Sequence, residues 1–211
     1  MSPQDCVVFV VDDDPLVRDS LADLLSSAGF TVRTFGSATE FIRSERPDVA
    51  GCLILDIELP DRSGLDLQAE LVKSGVAMPV VFLTGHGDVP RSVRAMKAGA
   101  VEFLTKPFRK EPLFNAVTEA LARDGEDRRL RSETLELQNR FVTLTPRERQ
   151  VLALVVTGLL NKQIAGELGT TDLTIKAHRG RVMRKMRASS LADLVRMAEK
   201  LKISSPGVRP K

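Results

Sequence analysis

Apolar and polar positions alternate along the first half of the chain in a regular rhythm. Five short runs, at residues 7–11, 31–35, 51–55, 80–83 and 102–105, carry the Val, Ile, Leu and Phe residues expected of strands. The first, third and fourth are almost wholly apolar, as in a sheet covered on both faces. Amphipathic stretches follow them at about 15–28, 37–45, 64–74, 89–98 and 110–123. In the first of these, Val17, Leu21, Leu24, Leu25 and Ala28 recur at helical spacing. Asp14 supplies a cap for it, and Pro15 takes the first position, where a missing N–H does no harm. Gly29, Gly75 and Gly99 stand where left-handed caps would close the first, third and fourth helices. This alternation predicts an α/β fold, a doubly wound five-stranded parallel sheet with helices on both faces.

From Leu144 the rhythm becomes all-helical. Thr145-Pro146-Arg147-Glu148 has the form of a capping box, and Val151, Leu152, Leu154, Val155 and Val156 follow before Gly158. A second helix spans about 161–168 and stops at Gly169. A third runs from Thr171-Asp172 to about Arg187, and a fourth starts at Ser189 or Ser190 and carries Leu191, Leu194, Val195, Met197 and Ala198. Short helices joined by a glycine turn, the latter of them basic, carry the helix-turn-helix signature. The polar stretch 124–142 between the halves, with Leu130, Leu137 and Phe141 on one helical face, is expected to be a partly helical linker, broken at Gly125. The domains expected are thus residues 1–123, a linker at 124–142, a small four-helix domain at 143–203 and a flexible tail at 204–211.

Charge sharpens this division. Residues 1–123 carry a net −5 and residues 124–211 a net +8, so an acidic front precedes a back attracted to a polyanion. The absence of Trp and Tyr argues against a single-strand binder built on aromatic stacking. No apolar run approaches a membrane span and no signal peptide is evident, which makes the cytoplasm the expected compartment. Cys6 and Cys52 lie at or inside strand runs and read as small buried hydrophobes.

The candidate chemistry lies at the strand ends, where open parallel sheets bind their ligands. Asp12 and Asp13 end the first run, Asp56 the third and Thr84 the fourth, and Lys106 follows the fifth. One such aspartate alone would pass for a turn residue. Three converging carboxylates repel unless a cation sits among them, and Mg²⁺ with oxygen ligands is the natural resident. Asp56 would then be a nucleophile toward a phosphoryl group, with Lys106 as a second cation and the Thr84 hydroxyl as a donor. The backbone carbonyl of Glu58 is placed to complete the metal shell. His86, in the loop after Thr84, is assigned no chemistry.

Val11-Asp12-Asp13, Leu55-Asp56, Glu58-Leu59-Pro60, Thr84-Gly85 and Lys106-Pro107 make residues 1–123 resemble the receiver domain of bacterial two-component response regulators. Residues 143–201 resemble the LuxR-type helix-turn-helix through the stretches 144–149, 158–162 and 174–178. Together they are similar to NarL/FixJ-type regulators, and the stretches 84–90 and 95–100 look most like the FixJ, StyR and TodT branch. The resemblance implies a flavodoxin-like strand order 2-1-3-4-5 and a cytoplasmic DNA-binding transcriptional regulator. A sensor histidine kinase, or more slowly a small phosphodonor, would phosphorylate Asp56. It implies Mg²⁺ (or Mn²⁺) held by Asp12, Asp13, Asp56 and Glu58, and a phosphate contacted by Thr84 and Lys106. Phe103 would be the aromatic that turns inward, and Pro107 would follow a cis bond. Phosphorylation would favour a homodimer, through the surface at about 89–121, and binding to double-stranded promoter DNA. RNA polymerase is a further candidate partner, and no membrane is involved. The only catalysis implied is the receiver's own phosphorylation and dephosphorylation, and an acidic Glu58 leaves the lifetime of the phosphorylated state open.

For DNA, the third helix of the small domain supplies Thr174, Lys176, Ala177, His178, Arg179, Arg181 and Arg184, its N-terminal part facing bases and its basic positions phosphates. Asn161 and Lys162, where the second helix begins, are candidates for a phosphate contact. Gly180 falls where several relatives carry a basic or polar contact residue, which shifts contacts to Arg179 and Arg181. Two other readings share part of the pattern. An aspartyl phosphohydrolase would want a second aspartate where Glu58 stands, and would leave the basic helices unexplained. A constitutive DNA-binding regulator, whose receiver serves mainly to dimerise, would bind its operator equally with and without phosphodonor.

Overall fold

The computed structural model describes residues 6–85 and 89–203, with the backbone alone at 89–92. His86 and the tail from residue 204 lie outside the described residues. The chain divides after Arg128 into two compact units.

In the first unit, β1 (Cys6–Val11), β2 (Thr31–Phe35), β3 (Ala50–Asp56), β4 (Val80–Thr84) and β5 (Glu102–Thr105) alternate with α1 (Pro15–Ser27), α2 (Ala38–Arg43), α3 (Gly64–Lys73), α4 (Val89–Lys97) and, as far as Arg128, α5 (Lys110–Val142). All strands pair in parallel, in the order β2-β1-β3-β4-β5. Alternation and resemblance both led to this sheet. Because successive side chains on a strand point to opposite faces, each central strand feeds two cores. Val8, Val10, Cys52, Ile54, Val81 and Leu83 meet Leu21 and Leu25 of α1 and Leu113 and Val117 of α5. Val7, Phe9, Val11, Leu53, Leu55 and Phe82 meet Phe41 of α2, Leu67 and Leu71 of α3 and Ala95 of α4. Both cysteines are buried, and neither is in a disulfide. Burial pushes the Cys52 thiol far above its ordinary range, which leaves it inert.

The helix boundaries follow local chemistry. The Asp14 carboxylate accepts the Leu16 N–H at 2.9 Å, with Pro15 in the first turn. Gly29, Gly75 and Gly99 follow α1, α3 and α4 with positive φ. The break expected at Gly125 is absent, since α5 passes straight through it. Asp124, buried to 1% exposure, accepts the backbone N–H of Gly51 at 2.9 Å and the Arg128 Nε–H at 2.8 Å. Arg128 also pairs with Asp48. These contacts flank the glycine and hold the turn helical against the roughly 1 kcal/mol that glycine costs in a helix interior.

The second unit comprises the part of α5 from Arg129 together with α6 (Pro146–Val155), α7 (Asn161–Glu167), α8 (Asp172–Met186) and α9 (Leu191–Lys200). Val151, Leu152 and Val155 of α6, Ile164 of α7, Ile175, Val182 and Met186 of α8 and Leu194 of α9 form its core. The capping box is present: Thr145 Oγ1 accepts the Glu148 N–H at 3.2 Å, and Glu148 Oε2 accepts the Thr145 N–H at 2.9 Å. No helix among the described residues is long and apolar enough to cross a membrane.

Candidate functional site

The parallel register of β1 and β3 pairs Val11 with Leu55, so the residues that follow, Asp12 and Asp56, emerge at the same edge. β4 lies next to β3 and β5 next to β4, which brings Thr84 and the residue after Thr105 to that edge as well. Lys106 Nζ lies 2.5 Å from Asp12 Oδ2 and 2.6 Å from Asp56 Oδ2. One ammonium thus serves two carboxylates. The other oxygen of each carboxylate is held locally, Asp12 Oδ1 by the Asp14 N–H and Asp56 Oδ1 by the Glu58 N–H, both at 3.0 Å.

Asp12 is fully buried, Asp56 is 6% exposed and Asp13 is open to solvent. Each of the three offers an oxygen within 4.8 Å of the others, a clustering that suits a divalent cation. Burial disfavours charge on Asp12 and raises its pKa, against the downward pull of the Lys106 hydrogen bond and the Asp14 N–H. For Lys106 burial acts against the ammonium, yet the hydrogen bonds and charges of Asp12 and Asp56 outweigh it and hold its pKa above the ordinary value. The site therefore combines concentrated negative charge with a fixed internal cation. Such an arrangement can bind a hard metal ion and steady an added anionic group.

The remaining expected residues take distinct places. Thr84 is buried at the end of β4, and its carbonyl accepts the Lys106 N–H at 2.7 Å. Phe103 is half-buried on β5 in register with Phe82. The Lys106–Pro107 bond is cis. The Glu58 side chain is exposed, while its backbone bridges to Ser63.

Three residues that build the site escaped the reading of the sequence. Arg18 of α1 donates to the carbonyls of Asp12 at 2.7 Å and Asp13 at 2.9 Å, clamping the acidic loop to α1. Gly64 starts α3 against the backbone of Asp56, where a Cβ would lie 2.2 Å from the Asp56 carbonyl oxygen. Asp61 fastens the loop after β3 to the start of α2, accepting from the Thr39 hydroxyl at 2.6 Å and the Thr39 N–H at 2.8 Å. The Thr39 hydroxyl is the main reason its carboxyl lies below the usual range. The motif Asp61-Arg62-Ser63-Gly64 carried a signal for the last two, in that Ser63 caps α3 one residue before the glycine.

In the second unit, α8 exposes Lys176, Ala177, Arg181 and Arg184 to solvent. Thr174 is part of the cap, its N–H donating to Thr171 Oγ1 at 3.2 Å and its hydroxyl 2.8 Å from the same oxygen. Arg179 is half-buried and donates to Asn161 Oδ1 at 3.0 Å, which joins α8 to the start of α7. His178 is also half-buried, and its Nδ1 is enclosed with no hydrogen-bond partner. Lys162 is exposed. Lys185, one of the basic positions of this helix, turns inward instead. It pairs with Glu148 at 2.7 Å and donates to the Thr143 carbonyl at 3.0 Å, a clamp between α8 and the start of α6.

Residues 8–118 match the family model for the response regulator receiver domain, and residues 142–198 match that for bacterial regulatory proteins of the luxR family. Nodulation protein W of Bradyrhizobium diazoefficiens is 53% identical over 199 residues, covering 94% of this chain and 88% of that protein. The low-resolution structure of the response regulator StyR superposes with a TM-score of 0.86 at 49% identity, covering 93% of this chain and all of that one, 100%. Full-length FixJ from B. japonicum gives a TM-score of 0.56 at 38% identity, over 93% of this chain and 97% of that one. Receiver fold, acidic strand-end site and basic helix-turn-helix agree with these likenesses, and the chain belongs to the NarL/FixJ-type response regulators, two-component transcriptional regulators in which a receiver domain precedes a LuxR-type DNA-binding domain.

Proposed function

We propose that Asp56 is the phosphoacceptor through which a sensor histidine kinase controls this regulator's hold on promoter DNA. A carboxylate oxygen of Asp56 attacks the phosphorus of the kinase's phosphohistidine. The new P–O bond forms as the P–N bond breaks, and the leaving nitrogen keeps the electron pair and is protonated. Small phosphodonors such as acetyl phosphate react in the same way, more slowly. Hydrolysis of the acyl phosphate returns Asp56, so the receiver catalyses its own phosphorylation and dephosphorylation. Asp12, Asp13, Asp56 and the Glu58 backbone carbonyl would hold Mg²⁺ (or Mn²⁺), which when bound would supply charge neutralisation for a phosphoryl group.

Lys106 keeps its ammonium at the same edge and hydrogen-bonds a phosphoryl oxygen once Asp56 is modified. The Thr84 hydroxyl donates to another, and Phe103 turns inward with it. This is an added charge biasing a two-state surface, here α4, β5 and α5. That surface becomes a homodimer interface and presents two copies of α8 to a two-fold promoter site, where RNA polymerase is a further partner. In α8, Thr174, Lys176, Ala177, His178 and Arg179 lie toward the base-reading end. Arg181 and Arg184, with Asn161 and Lys162 of α7, lie toward phosphates.

The observation that carries this reading is the single ammonium of Lys106 shared at 2.5 and 2.6 Å by Asp12 and Asp56 on the carboxyl edge of the sheet. With Mg²⁺ and acetyl phosphate, the wild-type chain should gain the mass of one phosphoryl group and Asp56→Ala none. Equal labelling of both would remove Asp56 from the role.

A further inference from the structure

We infer that Leu173 is a specificity-determining residue of the DNA-binding domain, reading the C5-methyl group of a thymine. The inference rests on the reading that α8 enters the major groove. The core side of α8 is set by Ile175, Val182 and Met186. Leu173, Ala177, Gly180 and Arg184 repeat the helical spacing two positions earlier, and two residues are about 200° of rotation, so they occupy the opposite side. All four are exposed. Leu173 is 77% exposed, and of the other exposed leucines in this domain, Leu160 at 69% precedes α7 and Leu191 at 39% opens α9, so Leu173 is the one carried by α8.

A lone surface leucine needs no explanation in general. This one stands at the second position of a helix that also exposes the cations Lys176, Arg181 and Arg184, on the end that meets base edges in that reading. Of the polar side chains around it, the hydroxyls of Thr171 and Thr174 meet each other at the helix cap, and the exposed Asp172 lies about 100° round the helix from Leu173, off the outward side. One turn on, Ala177 offers only a methyl group. At Gly180 a Cβ would find no atom within 4 Å, so nothing inside the domain requires the missing side chain. The outward side from 173 to 180 therefore carries no hydrogen-bonding group, with Lys176 and Arg181 flanking it. On the major-groove edges of the base pairs the apolar feature is the thymine methyl. An apolar tip between two cationic flanks selects for it.

The full-length chain, treated with acetyl phosphate and Mg²⁺, is used to enrich sequences from a random double-stranded DNA library at one fixed salt concentration. In the enriched site each thymine is then replaced by uracil, which removes only the methyl group. The wild type should lose about fourfold in affinity at one thymine per half-site, the worth of one buried methyl. Leu173→Ala should bind thymine and uracil there equally. A wild type indifferent to uracil at every position overturns the inference without any variant, and an equal loss in both proteins assigns the methyl to another residue and overturns it too. Failure to enrich any sequence would instead defeat the reading of α8 as a DNA-binding helix.

Discussion

Replacing Lys106 by Met isolates the electrostatics of the acidic edge, because Met fills similar volume without the ammonium. The wild-type charge bridges two buried carboxylates, and the side chain of Lys106 is itself only 21% exposed. With it gone, Asp12 and Asp56 face each other across no more than 4.8 Å. At an effective dielectric constant near 20, that repulsion is about 3 kcal/mol. Breaking a buried pair by removing one partner costs about 3–5 kcal/mol in general, and partial exposure favours the lower end. Lys106→Met should therefore be destabilised by about 3 kcal/mol at neutral pH without metal. The deficit should depend on pH. Burial already holds Asp12 above the usual carboxylate range, and loss of the Lys106 hydrogen bond raises it further. A carboxyl whose pKa is higher folded than unfolded makes stability fall as pH rises through the folded value, so the deficit should grow as pH rises above the ordinary carboxylate range and shrink as it falls back toward that range. Mg²⁺ should narrow it, since a cation entering the variant displaces no ammonium. Urea unfolding of both full chains, followed by circular dichroism across pH with and without Mg²⁺, measures each part. An unchanged midpoint in the variant, or equal Mg²⁺ shifts in the two proteins, would refute the argument.

Two further outcomes follow from contacts at longer range. Gly64→Ala must move either α3 or the Asp56 backbone to relieve a 2.2 Å approach; it should lower stability by about 1–3 kcal/mol and slow acetyl-phosphate labelling, both read on the same preparation. In the DNA-binding unit, the Lys185 hydrogen bond chiefly holds Glu148 below its ordinary pKa. Its stabilisation is present above the unfolded value of about 4.3 and lost as pH falls through the lower folded one, so acid unfolding of this unit below about pH 4 should be blunted in Glu148→Gln, as circular dichroism would show.

The sheet was legible because a buried parallel strand has almost no freedom in composition. Val7 to Val11, Cys52 to Leu55 and Val80 to Leu83 are apolar at every position, and once these runs and the two more polar ones at 31–35 and 102–105 alternate with helices the layered fold follows. The acidic edge was legible for a related reason, since in parallel strands every carboxyl end points the same way. Pairings that depend on tertiary approach left no local trace. Lys185 looked like one more cation on a basic face, and only the fold brings Glu148, 37 positions earlier, within 2.7 Å. Arg18 and Gly64 were hidden similarly, for their partners are backbone carbonyls, which no residue type advertises. At Gly125 local propensity pointed to a break, and two charged neighbours with distant partners overruled it.

The fastening of Asp124 and Arg128 to Gly51 and Asp48 also bears on how the molecule can be cut. The family match for the receiver ends at residue 118, yet the compact unit runs to Arg128. A fragment trimmed at the match would strand the buried Gly51 amide at the root of the strand that bears Asp56. Excised receivers and chimeric regulators built from this chain should therefore keep those ten extra residues, which belong to the front half by their bonds whatever the back half is exchanged for.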